Sequence, residues 1–172
     1  MKTIRAWHFT GERLRDGDPI PPAGQWLKYK GPLIMCESGL HASIDPSDAL
    51  GYAPGPILHL VDCQGIGELG DDKLVCSRRR IVASMDATEM LRYFARMQAL
   101  SVVHLWEAPD VVLDYLMTGD ESIQDAAWAA GAAAWAAWDA ARATMDAAWA
   151  AARDAARKEF NELVYECFEQ WV

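Results

Sequence analysis

The side chains best suited to chemistry fall in short, separated groups. They are Trp7-His8-Phe9-Thr10, the run CESGLHAS at 36–43 with His41 and Ser43, Asp48 to Tyr52, Asp71-Asp72-Lys73, and Arg78-Arg79-Arg80. A histidine titrates near neutral pH and can pass a proton or bind an anion. An arginine offers a planar fork of donors that fits carboxylate and phosphate. Arg78-Arg79-Arg80, the basic run of the N-terminal domain, could cradle phosphates, and the candidate ligand-binding residues, several of them drawn from a resemblance given below, are His8, Thr10, His41, Ser43, Tyr52, Arg78 and Arg80. Acid–base work would fall to His8, His41 and Asp72. Each has a structural alternative: a histidine satisfied on a strand, or arginines that keep a sheet edge wet. Strand alternation puts Arg79 opposite Arg78 and Arg80, so two of the three at most meet one ligand. His59 and His104 lie in apolar runs and read as structural. No GxGxxG, P-loop, GxSxG or HExxH pattern occurs.

Bulk properties narrow the field. The 172 residues carry a net charge of −9, against the basic surface that duplex nucleic acid demands. The four cysteines (Cys36, Cys63, Cys76, Cys167) form no CxxC pair and have no histidine cluster beside them. No metal or other cofactor is expected, and reduced cysteines in a cytoplasmic protein are the simplest reading. The opening MKTIRAWHFTG lacks a signal-like apolar core, and no stretch is apolar enough to span a membrane.

The elements that must position these groups read as α+β: a small mixed or antiparallel sheet, then helices, then a long Ala/Trp-rich helical segment. Expected strands are Lys2–Phe9, Gln25–Lys30, Pro32–Cys36, Gly39–Ser43, Ile57–Cys63, Lys73–Cys76 and Arg80–Ala83. Asp45 is expected to cap a short helix with Pro46 at its first position. Asp86 begins a helix running to about His104, and Pro109 begins another that Gly119 ends. The organisation is an α+β domain over 1–84, two helices over 85–118 and a helical tail over 119–172. As one helix from Asp120 the tail would span about 75 Å, so it bends, with Gly131 a candidate position, or pairs with another chain.

The tail carries a heptad repeat. Alanine pairs recur at 126–127, 133–134, 140–141 and 147–148, and Trp128, Trp135 and Trp149 share the period. On a helical wheel these tryptophans and Trp138 form a stripe that Phe160, Val164, Cys167 and Trp171 continue. Ala130, Ala134, Ala137, Ala141, Ala148, Ala151 and Ala155 fill one sector without charge. Burial of that face on another helix is expected, and a tryptophan stripe left open would be adhesive. The expected partner is a second copy of the chain, through Trp128, Ala134, Trp135, Trp138, Ala141, Ala148 and Trp149.

Two resemblances add to this reading. The stretches CESGLHAS (36–43), PSDALGYAPG (46–55), GDDKLVCSRRRI (70–81), DATEMLRYFA (86–95) and HLWEAPDVVLDYLMTGDES (104–122) resemble a family of uncharacterised phage and prophage proteins with a variable Ala/Trp tail. That resemblance implies phage or prophage origin and an accessory role in the host cytoplasm. Such a protein would block or sequester a host molecule, counter-defence being one such role. The order of HFT, GLHAS, DALGY and LHLVDCQG also resembles, in part, the ADP-ribosyltransferase core. It implies an NAD- or ADP-ribose-type ligand, with His8 at the first motif, His41 where that family has tyrosine, and Ser43 and Tyr52 at flanking positions. Asp72 is the nearest stand-in for its glutamate.

Overall fold

The computed structural model describes the backbone of residues 2–138 and 146–171 and, within them, the side chains of 2–132 and 152–171. The chain is α+β. Five strands form one antiparallel sheet: β1 (Thr3–Thr10), β2 (Trp26–Lys28), β3 (Leu40–Ala42), β4 (Ile57–Leu69) and β5 (Leu74–Asp86). Among the described residues five helices accompany it: α1 (Pro46–Leu50), α2 (Thr88–Ser101), α3 (Asp110–Thr118), α4 (Gln124–Trp138) and α5 (Asp146–Cys167). Two compact units result, one of Met1–Thr88 with Arg157–Val172, the other of Glu89–Ala156.

In the first unit β4 and β5 form a long hairpin, closed where the Gly70 amide donates to the Lys73 carbonyl at 2.8 Å. β1 pairs with the free side of β4, and β2 and β3 pair with the free side of β5. Just beyond β3, Ser43 exchanges two backbone hydrogen bonds with Trp7 of β1, at 2.7 and 2.9 Å. The path β1–β4–β5–β3 therefore returns to β1, and the sheet curls into a small barrel. Two register shifts in the hairpin supply curvature, between Leu60 and Val61 and between Ile66 and Glu68. Gly65 next to the second has φ +64°, and an added Cβ would lie 2.1 Å from the Ser77 hydroxyl. Only glycine fits there.

Alternation sorts the side chains to two faces. Ala6, Ala42, Val61, Cys63, Leu74, Cys76 and Ile81 pack together inside, joined by Ile4, Leu40, Ile66 and Ile20. Trp7 faces the other way, with its ring 5.8 Å from Tyr165 and 5.0 Å from Phe168. Phe160, Val164 and Phe168 are buried there, whereas Cys167 and Trp171 of the expected stripe are exposed. Asp48 pairs with Arg157, and the Ser47 amide donates to Asn161 Oδ1 at 2.8 Å.

Three local expectations need correction. Residues 32–36 form no strand: Ile34 makes an isolated bridge to Ser38 across a turn at 35–37, with Cys36 in the left-handed region at φ +64°. The two segments at 73–76 and 80–83 are one strand, continuous through the arginines. Asp45 makes no side-chain cap on α1; its carboxylate accepts from the Tyr165 hydroxyl at 3.2 Å.

In the second unit, Val112 and Leu116 of α3 are buried with Ala127 of α4, and Ala99, Leu100, Trp106, Tyr115 and Ala130 pack around them. Gly119 ends α3 in the left-handed conformation, φ +69°, its amide donating to the Tyr115 carbonyl at 2.8 Å. Helix α4 runs through Gly131 to Trp138 without a break. Ala130 is partly buried, Ala155 on the same sector is exposed, and Trp128 is 69% exposed. Ala141 lies outside the described residues, as do the side chains of Ala134, Trp135, Trp138, Ala148 and Trp149. No described helix is long and apolar enough to cross a membrane.

Candidate functional site

One end of the barrel interior is polar. His8 and Thr10 follow Ile4 and Ala6 on the inward face of β1, and His59 lies opposite His8 on β4. Arg79 lies opposite Cys63 on β5 and so enters the barrel. Leu14 and Pro21 of the β1–β2 loop, Leu27 of β2, and Arg80 and Ile81 of β5 complete the wall of a cavity. Counting its open mouth, the cavity contains about 230 Å³ between atoms, and about one water fits inside it.

The hydrogen bonds assign roles within this wall. Thr10 Oγ1 donates to the Gly11 carbonyl at 2.9 Å and lies 2.9 Å from His59 Nε2. With that hydroxyl proton committed, His59 Nε2 is the donor to Thr10, and Nδ1 accepts from the Ser84 hydroxyl at 2.6 Å. His59, 1% exposed, is thereby satisfied as a neutral imidazole. Burial, with the Arg79 charge nearby, holds its pKa at about 4. His8 stacks on it at 6.4 Å between ring centroids, is partly exposed, and has no hydrogen-bond partner among the described residues. Burial is the main cause that pushes the His8 pKa well below its ordinary value, with Arg79, His59 and His41 adding to it.

Arg79 is the unusual member. It is 6% exposed, and one guanidinium nitrogen donates to the His41 carbonyl. Among the described residues no carboxylate lies within ion-pair distance of it. Burial lowers its pKa, the neighbouring Cys63, Cys76 and Asp16 opposing that shift. Arginine nonetheless stays charged in proteins. A buried cation without an anion is costly, so the polar end of the barrel is electrostatically incomplete.

Of the residues expected to bind ligand, His8, Thr10 and Arg80 line this cavity, and His41, Ser43, Tyr52 and Arg78 do not. Ser43 closes the barrel through its backbone. Arg78 and Arg80 lie on the outer face, their guanidinium carbons 4.7 and 4.8 Å from the Trp26 ring centroid. Arg80 also holds Asp62 Oδ2 at 2.9 and 3.0 Å, while Arg5 holds Oδ1 at 2.8 Å.

His41, Tyr52 and Asp72 belong to a second group, at the tip of the hairpin. His41 Nε2 accepts from the Cys36 amide at 3.1 Å, bracing the left-handed turn. The Tyr52 hydroxyl donates to Asp72, and the Lys73 ammonium lies 4.0 Å above the Tyr52 ring. Hydrogen bonds to Tyr52 and Cys36 raise the Lys73 pKa. Burial, then the charges of Lys73 and Arg79, lower that of His41. This group ties the hairpin tip to the end of α1 and to the Cys36 turn. Among the described residues no cluster of three or more His, Cys, Asp or Glu is placed to hold a metal ion.

Sequence reasoning read His59 as structural and left Arg79 out of the ligand set while keeping Arg78 and Arg80. Alternation pointed to Arg79: it shares a face with Ile81, and an arginine in phase with an apolar residue is headed inward.

The family described as "Domain of unknown function (DUF7666)" matches residues 4–93, which contain the whole barrel and the start of α2, and the chain belongs to it. No curated protein and no solved structure matches the chain.

Proposed function

We propose that this member of the DUF7666 family is a binding protein whose barrel captures an anionic ligand at its polar end. What carries the reading is Arg79, buried without a carboxylate, beside a His8 whose ring nitrogens have no partner among the described residues. An anion in the cavity would complete the charge and accept from both. His59 has spent its hydrogen-bonding capacity on Thr10 and Ser84, and no carboxylate lines the cavity, so the wall lacks an acid–base pair. Binding without turnover is the role this chemistry supports. NAD turnover would need His8 and His41 about one cleft beside a carboxylate, whereas His41 does not line the cavity and its Nε2 accepts from the Cys36 amide.

The motifs shared with phage and prophage proteins support an accessory role, in which the chain blocks or sequesters a host molecule. Self-assembly through the tail belongs to the same proposal. It is supported by Trp128, 69% exposed on α4 while neighbouring Ala127 is buried against α3. The deciding experiment measures unfolding temperature against phosphate, sulfate, acetate, hexanoate, NAD and ADP-ribose at fixed ionic strength. A ligand that binds only the folded state stabilises it by about 2.7 kcal/mol at a hundredfold excess over Kd. A saturable rise that Arg79→Met abolishes supports the reading; no rise with any anion refutes it. Light scattering of the wild type and Trp128→Ala checks assembly, and a monomer at high concentration removes that part.

A further inference from the structure

We propose that the outer face of the sheet around Trp26 binds single-stranded nucleic acid. The proposal does not depend on the anion site of the barrel. Strand register lays two rows of side chains across that face. Arg5, Asp62, Arg80 and Trp26 are successive partners in one row, and Gln64, Arg78 and Lys28 in the next. Alternation puts them on the side away from the hydrocarbon interior. Four cations against one carboxylate leave a surplus of three positive charges on these rows, in a chain whose net charge is −9. Such a local surplus attracts a polyanion although the chain as a whole is acidic. Asp62 holds Arg5 and Arg80 in place, whereas Arg78 and Lys28 make no ion pair among the described residues and keep their charge for a partner.

Trp26 selects among polyanions. It is partly exposed, and the guanidinium carbons of Arg78 and Arg80 lie 4.7 and 4.8 Å from its ring centroid. The two cations steady the ring through its π-electrons. Indole rings and guanidinium planes are both surfaces on which an unstacked base can lie. An acidic peptide would engage the charges and leave that stack unused. A duplex would bring phosphates but keep its base faces inside its own stack. A single strand supplies both groups at once, phosphate for Arg78 and Lys28 and a base for the Trp26 stack. Every base has a π-face, so the recognition is tolerant of sequence.

The test is fluorescence anisotropy of the full chain with a labelled single strand of about 16 nucleotides and mixed sequence, beside a duplex of the same length. Polyglutamate serves as an unlabelled competitor. The single strand should bind saturably and at least about tenfold more tightly than the duplex, and polyglutamate should not displace it. Three charges predict a log–log salt slope of about −2, from about −0.7 for each phosphate neutralised. Lys28→Gln, at an exposed position, should make that slope shallower by about 0.7. Trp26→Ala should weaken binding about 5- to 150-fold at an unchanged slope, and Trp26→Phe should keep most of the affinity. Should Trp26→Ala fail to fold, Lys28→Gln still decides. No binding of the single strand overturns the proposal. Duplex binding of equal strength would show phosphate contact alone and overturn the single-strand assignment. Displacement by polyglutamate would make the face a dock for acidic protein and do the same. Single-strand binding that neither Lys28→Gln nor Trp26→Ala alters would lie elsewhere on the chain and overturn it too.

Discussion

Acid should weaken this protein well before its carboxylates protonate, and His59 allows the size of the effect to be worked out. In the unfolded chain a histidine titrates near 6.5; burial beside Arg79 holds His59 at about 4 in the fold. The folded state therefore refuses a proton that the unfolded state accepts. The resulting stability is fully present above pH 6.5 and is lost as pH falls toward the folded value. Protonation linkage gives a loss of about 2 kcal/mol at about pH 5, and about 3 kcal/mol once pH lies below both values. His8, lowered for the same reason, adds a loss of the same sign. Asp86 and Asp120 are held below the ordinary aspartate value by their hydrogen bonds to Thr88 and Ser122, so they remain charged across this window and do not mask it. Urea unfolding at about pH 7 and about pH 5 measures the difference directly. In thermal unfolding the same loss appears as a drop of roughly 4–8 °C for a chain of this size. His59→Leu removes one titrating group and should take away its share of the slope, leaving that of His8, whatever it does to stability at neutral pH. Equal stability at the two pH values, or a full slope retained by His59→Leu, would refute the picture of a neutral imidazole locked between Thr10 and Ser84.

Three further outcomes follow from the packing. Trp7→Ala should cost about 3–5 kcal/mol, because its ring is the contact through which Tyr165 and Phe168 pack on the sheet, and near-UV circular dichroism should lose intensity with it. Asp62→Ala should cost about 1–3 kcal/mol by equilibrium unfolding, toward the low end because Arg5 and Arg80, with side chains 41% and 40% exposed, can turn to water. Gly119→Ala should cost about 1–2 kcal/mol for its left-handed backbone, and also displaces the Arg96 guanidinium, which a Cβ would meet at 2.5 Å; two-state denaturation of the variant checks it.

How legible the fold was in the sequence depended on whether local pattern and tertiary setting agreed. β1 and the first half of β4 alternate or run apolar, and both were found. Helix α3 was found between Pro109 and Gly119, because proline fixes φ at the start and glycine takes the left-handed conformation at the end without a steric cost. β5 was split because Ser77-Arg78-Arg79-Arg80 reads as polar loop. What makes it strand is not local: Trp26 covers Arg78 and Arg80 on one face, and the barrel takes Arg79 on the other. The Asp45 cap failed for the same kind of reason, since its carboxylate engages Tyr165, far away in sequence. His8 and Thr10 were visible as candidates because their residue types are reactive. His41 and Tyr52 looked equally good by type, yet the structure spends them on the Cys36 turn and on Asp72.

A small barrel gains most from an interior filled with hydrocarbon, and this one is so filled at the end of Ala6, Val61 and Leu74. At the other end it holds a guanidinium, two imidazoles and a hydroxyl, which water would have solvated better. If that polarity were a structural device, removing it would destabilise the fold, because Arg79 gives one donor to the His41 carbonyl and thereby ties β5 to β3. If it serves a ligand, the empty protein carries an uncompensated buried charge, and an apolar replacement of similar length relieves it. The two accounts differ in the sign of one measurement. Arg79→Met should leave the ligand-free protein as stable as the wild type or more stable, by up to about 2 kcal/mol, while abolishing stabilisation by the anion. A loss of 2 kcal/mol or more in the absence of any anion would show that the hydrogen bond to His41 outweighs the burial of the charge. Arg79 would then be a strut between two strands, and the ligand would have to be sought elsewhere on the chain.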